Sequence, residues 1–204
     1  MTSMEDTEAV AAADSEHLFR IHGRLAMAAE RDGLLDVAYR MVDTPVGPLL
    51  LAATQMGLVR VAFEHEGFDA VLQTLAAKVS PRVLKAPRRL DAAAAELEQY
   101  FAGKRQGFDV PLDYALTSGF RKLVQQCLQH IDYGHTGTYR SVAEKVGNAR
   151  AVRAVGSACA TNPLPVVLPC HRVLRADGTL GGYLGGLDAK TTLLTLEGAL
   201  WAHR

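Results

Sequence analysis

The segment from Ser141 to Val173 reads SVAEKVGNARAVRAVGSACATNPLPVVLPCHRV. Its first part holds two helical segments, Ser141–Val146 and Ala149–Ala160, joined by Gly147-Asn148. A short helix, a glycine turn and a second helix carrying Arg150 and Arg153 make a helix-turn-helix pattern. Apolar helix pairs joined by glycine also occur as plain hairpins with solvated arginines, so spacing alone leaves both readings open. The second part ends differently. Behind Pro163, Pro165 and Pro169 and an apolar, strand-like run, Cys170 is followed at once by His171. That is the pattern of a shaped sulfur nucleophile.

The thiolate, not the thiol, attacks, and a free thiol is only slightly ionised at neutral pH. His171 can relay the proton. Adjacent residues of a strand point to opposite faces, so contact requires a turn at Cys170 or a bridging water. Pro169 favours such an irregular backbone. A histidine base also needs a third group to fix its tautomer. Glu197, in a C-terminal helix expected over Ala189–Glu197, is the best candidate, with Asp177 and Asp188 left open; Asp188 itself reads as an N-cap. The glycine-rich stretch Asp177–Gly186 can bring backbone close to a flat ligand, with Tyr183 as a wall, or can be a flexible hairpin.

Working outward, Met1 to Asp14 is acidic, alanine-rich and expected to be disordered. Leu18, Ile21, Leu25, Ala28 and Ala29 recur at helical spacing and predict a helix over Ser15–Leu35. Val37–Val42, Pro48–Ala53 and Leu58–Phe63 read as three short strands separated by turns, a small antiparallel meander. Helices are expected over Phe68–Lys78 and Leu90–Ala102, with a loop from Ser80 to Arg88 between them, and Ser118 caps a further helix running through Gln129. The fold class is therefore α+β. An acidic extension over residues 1–37 precedes an α+β scaffold domain with an antiparallel sheet (38–116), and a mostly helical domain (117–204) carries the helix-turn-helix and Cys170.

The chain of 204 residues has no apolar run long enough to span a bilayer and no basic, apolar leader, so a cytoplasmic protein is expected. Three cysteines without a CxxC pair argue against a disulfide framework and a zinc site; Cys127 and Cys159 read as packing residues. No visible ligand set requires a metal, and no cofactor is expected. Net charge is zero, but unevenly spread. Residues 1–37 carry three basic against eight acidic side chains, and residues 120–204 carry ten against five.

Asn162-Pro163, Pro169-Cys170-His171-Arg172-Val173, Arg153-Ala154-Val155-Gly156, Gly182-Tyr183-Leu184-Gly185-Gly186-Leu187 and Glu197-Gly198 together resemble the O6-alkylguanine-DNA alkyltransferases, without a gap from about Phe120 to Gly198. Thr44–Leu49 and Tyr100-Phe101-Ala102-Gly103 resemble the family's N-terminal domain more loosely. The resemblance implies a repair enzyme that moves an alkyl group irreversibly from O6 of guanine in duplex DNA to Cys170, once per molecule. It implies that His171 deprotonates Cys170 through a water, that Glu197 orients the imidazole, and that Tyr139 protonates the departing guanine. It implies too that Asn162 ties the recognition helix to the active-site strand and that Arg153 fills the place of the flipped nucleotide, while the small residues Ala154, Gly156, Ser157, Ala158 and Ala160 suit close approach to the minor groove the family reads. By the same resemblance, the backbone of Cys170, Val173 and Leu184, with Tyr183, Pro165 and Gly185, would line the guanine pocket. The implied partner is double-stranded DNA carrying O6-alkylguanine, bound by a monomer; a partner for residues 1–37 is not readable.

Many relatives have tryptophan where this chain has Gln125, proline at Asp132, and a small residue at Leu184, whose bulk is expected to disfavour large adducts. The competing readings are a lesion-binding sensor of the same fold that transfers nothing, a regulator using the helix-turn-helix alone, and a cysteine hydrolase. Cys170 itself weighs against the first. Nothing in the first hundred residues looks like a sensor for the second, and the third would make the DNA-facing features accidental.

Overall fold

The computed structural model describes the backbone of residues 4–202 and the side chains from 17 onward except that of Phe19. The first helix, α1, spans Met4–Arg31, so it begins well before the expected Ser15. The alanine-rich run at residues 9–13 has high helix propensity, which outweighs the acidic composition read as disorder; residues 1–3 lie outside the described residues. Left-handed Gly33 closes the helix, and the Leu34 N–H bonds back to the Ala29 carbonyl at 2.7 Å. Among the described side chains of α1, Ala26 and Ala29 are buried, while Leu18, Ile21 and Leu25 stay exposed.

β1 (Val37–Val42), β2 (Leu49–Thr54) and β3 (Gly57–Phe63) form the expected antiparallel meander, with Ala38 opposite Ala53 and Leu50 opposite Ala62. β2 is buried on both faces because each face has its own cover. α2 (Phe68–Lys78) sets Val71 and Leu75 against Leu50, Ala52 and Val59, and α3 (Asp91–Phe101) sets Leu97 and Tyr100 against Leu49, Leu51 and Phe63. The stretch read as a loop contains a fourth strand, β4 (Val83–Lys85), paired parallel to β1, so the sheet is mixed, in the order β3-β2-β1-β4. Three residues between Pro81 and Pro87 are too short for a period to show. Gly57 has φ 137°, and a Cβ there would fall 2.2 Å from the Pro111 carbonyl oxygen, where the chain crosses β3.

The remaining chain forms α4 (Gly119–Leu128), β5 (Gly137–Thr138), α5 (Tyr139–Lys145), α6 (Val152–Ala160), β6 (Val173–Leu174) and α7 (Gly186–Leu196). Ser118 precedes α4 in extended conformation but makes no side-chain cap bond. α5, by contrast, has a side-chain cap: the Thr138 hydroxyl accepts the Ser141 N–H while the Ser141 hydroxyl accepts the Thr138 N–H. α6 starts three residues later than expected, because Ala151 bonds back to the Asn148 carbonyl in a turn. α7 starts at Gly186, which puts Asp188 inside its first turn rather than at the cap. Val124 and Leu128 of α4, Val142 and Ala143 of α5, and Val155 and Ala158 of α6 share one core, which Cys170 and Val173 enter. Leu164 to Leu168, by contrast, pack with Leu49, Leu51 and Tyr100, so the run ahead of Cys170 joins the two halves of the molecule. Among the described residues no helix is long and apolar enough to cross a membrane.

Candidate active site

Cys170 opens a 3-10 turn, Cys170–Arg172, so the backbone there is not a strand and the opposite-faces objection does not apply. The turn is over-determined from both sides. The Asn162 side-chain amide donates to the Leu168 carbonyl at 2.9 Å and to Cys170 Sγ at 3.2 Å, and its oxygen accepts the Leu164 N–H at 3.1 Å. Between them, buried Val166 is held at φ 72°, a left-handed conformation that costs a β-branched residue about 1–3 kcal/mol and persists only where the surroundings fix it. Immediately after the turn, β6 pairs parallel with β5, Gly137 opposite Val173. That pairing delivers Tyr139, the first residue of α5, to the same core as Cys170.

His171 is fully buried and its Nε2 lies 2.9 Å from Glu197 Oε1. Of the three acids left open by the sequence, Glu197 is therefore the partner; Asp177 instead accepts from Thr179. Glu197 has further donors that the sequence reading missed. Arg172 reaches it with Nε and Nη2, both at 2.9 Å, and the Tyr100 hydroxyl from α3 donates at 2.5 Å. Arg172 Nη1 also donates to the Ile131 carbonyl at 2.5 Å. Burial alone would raise the Glu197 carboxyl, but the bonds from His171 and Arg172 hold it down to about 2. Ionised at neutral pH, it can only accept, so the proton of neutral His171 sits on Nε2. Burial also lowers the His171 pKa, against the pull of Glu197. Its Nδ1 is buried with no hydrogen bond, a lone pair available as a base.

Burial pushes the Cys170 thiol up to about 11, opposed by the Asn162 bond and by the charge of Lys190. Lys190 on α7, also missed by the sequence reading, is buried, donates to the Val173 carbonyl at 2.7 Å and to the Leu180 carbonyl, and is lowered to about 8 by that burial, with Cys170 pulling it back up. Its charge acts on the Cys170 sulfur in the direction that favours the thiolate. The Tyr139 hydroxyl is raised by burial and by the neighbouring thiols of Cys159 and Cys170, with Arg175 opposing, so it keeps its proton at neutral pH.

Around the thiol, the Tyr183 ring meets His171 edge-on at 6.2 Å and Phe63 of β3 at 5.8 Å. Leu184 is half-buried against the sheet core, and Pro165 is buried in the loop. A Cβ on Gly185 would come within 2.4 Å of the Phe63 ring, so this position fixes how closely the glycine-rich loop lies on β3. The Val173 side chain is wholly buried, which leaves only its backbone for a pocket wall. On α6 the exposed residues are Arg153, Ala154, Ser157 and Ala160, a single small-residue face with one long cation. Gly156 is half-buried at its edge, and Ala158 is fully buried in the core, so it does not share that face. Arg121, Arg140, Lys145, Arg150 and Arg175 are exposed as well, which suits a polyanion.

The chain as a whole has close counterparts. Residues 119–199 match the model of the 6-O-methylguanine DNA methyltransferase DNA-binding domain, and residues 37–114 match that of the same proteins' ribonuclease-like domain. A methylated-DNA–protein-cysteine methyltransferase of Methanosarcina acetivorans is 40% identical over 161 residues, covering 79% of this chain and 98% of that protein. One from Mycolicibacterium paratuberculosis is also 40% identical, covering 79% and 92%. The crystal structure of Mycobacterium tuberculosis O6-methylguanine methyltransferase superposes with a TM-score of 0.70 at 36% identity, covering 79% and 93%. That of the tuberculosis protein in complex with DNA gives 0.69 at 36% identity, covering 79% and 92%. Built on the same α+β fold with a thiol behind a basic helix, this chain belongs to the 6-O-methylguanine DNA methyltransferase family, the methylated-DNA–protein-cysteine methyltransferases of DNA repair.

Proposed function

We propose that this enzyme removes the alkyl group of O6-alkylguanine in duplex DNA by a single, irreversible transfer to Cys170. The observation that carries the reading is the Asn162–Cys170 bond beside the His171–Glu197 pair, which gives one sulfur both a fixed position and an outlet for its proton. His171 Nδ1 takes the Cys170 proton through one water, and Lys190 holds the thiolate charge. Sulfur then attacks the alkyl carbon, an S–C bond forms, the C–O6 bond breaks, and its electron pair leaves on guanine. Tyr139 supplies the proton that neutralises this purine anion. Because the product is a thioether, nothing returns Cys170 to its starting state.

A base inside a duplex cannot reach a thiol that is only 3% exposed, so the nucleotide must be flipped, at a cost of a few kcal/mol. The small residues Ala154 and Ser157 let α6 approach a narrow groove, which favours the minor groove, and Arg153 enters the gap left by the base. Affinity then comes from phosphate contacts, with little sequence preference and a steep loss in salt. The proposed division of labour follows: residues 1–37 are an extension, 38–116 a scaffold, and 117–204 the DNA-binding and transfer domain, working as a monomer.

The deciding experiment is an intact-mass spectrum after mixing with a duplex carrying one O6-methylguanine. One methyl per chain, mapped to Cys170, is the expected result, and Cys170→Ala should bind the lesion yet gain nothing. Tight lesion binding by the unaltered chain without mass gain would make it a sensor instead. Arg153→Ala should slow transfer from the duplex about tenfold or more, since it removes part of the support for the flipped state, while transfer from free O6-methylguanine changes less than about twofold. Equal losses on both substrates would rule out the role given to Arg153.

A further inference from the structure

β3 lies outside the catalytic cluster, yet it holds the chain one residue away from Asn162. The Pro163 carbonyl accepts two bonds from this strand, from the Val61 N–H at 2.8 Å and from Arg60 Nη1 at 3.1 Å. The same Nη1 donates to the Val61 carbonyl at 2.7 Å. Arg60 Nη2 is paired with Glu66, whose other oxygen accepts the Phe63 N–H at 2.8 Å. The Arg60 and Glu66 side chains are only 13% and 15% exposed, so water competes weakly for these groups. A planar guanidinium anchored at both ends is a rigid strut, and proline offers it nothing but the carbonyl. Beyond Pro163 the next link is the Asn162 amide, which touches Cys170 Sγ at 3.2 Å.

We infer that Arg60 is a positioning residue for the acceptor thiol: by fixing the Pro163 carbonyl it holds the Asn162 amide against Cys170 Sγ. The inference rests on the reading of Cys170 as the acceptor. Arg60 touches neither sulfur nor DNA in this scheme, and it acts only by keeping a donor aimed at the developing thiolate. Losing a bond that favours the thiolate raises the pH at which the thiol ionises. Lysine in its place could still reach the carbonyl as a point charge but could not span it and Glu66 together.

The test compares the unaltered protein with Arg60→Ala, Arg60→Lys and Glu66→Gln. Labelling of Cys170 by iodoacetamide is followed against pH by peptide mapping, which separates it from Cys127 and Cys159. Methyl transfer from an O6-methylguanine duplex, duplex affinity and thermal melting are measured beside it. Arg60→Ala is expected to move the labelling midpoint up by about one pH unit, and to slow transfer about tenfold, with affinity changed less than about twofold. Arg60→Lys should recover part of both losses, and Glu66→Gln should show smaller shifts of the same sign. An unmoved midpoint in Glu66→Gln and in whichever Arg60 variants fold would overturn the positioning role, whatever happens to melting. If the methyl group maps to a residue other than Cys170, the acceptor reading falls, while a shifted midpoint would still show that Arg60 governs this thiol.

Discussion

Glu197→Gln is expected to lower both the melting temperature and the transfer rate, more than any other change that leaves Cys170 in place. The carboxylate is buried and takes bonds from His171, Tyr100 and twice from Arg172. A neutral amide leaves Arg172 buried without its countercharge, which costs about 3–5 kcal/mol. For a chain of this size that corresponds to a fall of about 6–20 °C. At a temperature where the variant is still folded, the transfer rate should drop by about a hundredfold or more, because a neutral amide oxygen no longer stabilises the positive charge that His171 gains on taking the proton.

The same carboxylate sets the acid limit. Its folded pKa of about 2 lies below the ordinary value of 4.5, so its stabilisation is complete above 4.5 and disappears as pH falls from there towards 2. Melting curves across that window should fall steeply for the unaltered protein and more gently for Glu197→Gln. Parallel curves, with no loss of melting temperature at neutral pH, would mean that the four-donor cluster contributes little.

Legibility from sequence tracked the range of the interaction. The meander and both helices that cover it were readable because strand and helix periods, turns and breakers are local properties; β4 was not, since three residues between prolines carry no period. Cys170 and His171 lie side by side and announced themselves there, while the role of Asn162 came only from the family resemblance. Residue pattern alone left Glu197 open beside Asp177 and Asp188; the family resemblance singled it out, and the fold shows that it meets the imidazole. Tyr100 could not have been found at all, since it acts on Glu197 from 97 positions away in sequence and is otherwise an ordinary core aromatic. Lys190 was hidden in the opposite sense, in a helix whose lysines would normally be solvated; only its place beneath Val173 and Leu180 reveals it. Ala158 erred for a related reason, because small residues along α6 serve both groove contact and core packing, and sequence does not say which side faces in.

One position is expected to improve when changed. Gln125 sits on α4 between Val124 and Leu128, is 0% exposed, and neither atom of its amide has a hydrogen-bond partner. An unpaired buried amide costs about 1–3 kcal/mol. Methionine keeps the unbranched shape and helix propensity while removing both polar atoms, so Gln125→Met should stabilise the chain by about that amount and raise its melting temperature by several degrees. The neighbouring Gln126 is only half-buried, and Gln126→Met should change little, which separates relief of an unmet amide from a general gain on adding methionine. Because the Gln125 amide bonds to no residue of the thiol site, transfer from the lesion duplex should keep its rate. A lower melting temperature in Gln125→Met would reveal that the amide is bonded in solution, by a buried water bridging it within the core. The departure from the tryptophan common at this position would then be a polar solution to filling the same space rather than an unfilled demand.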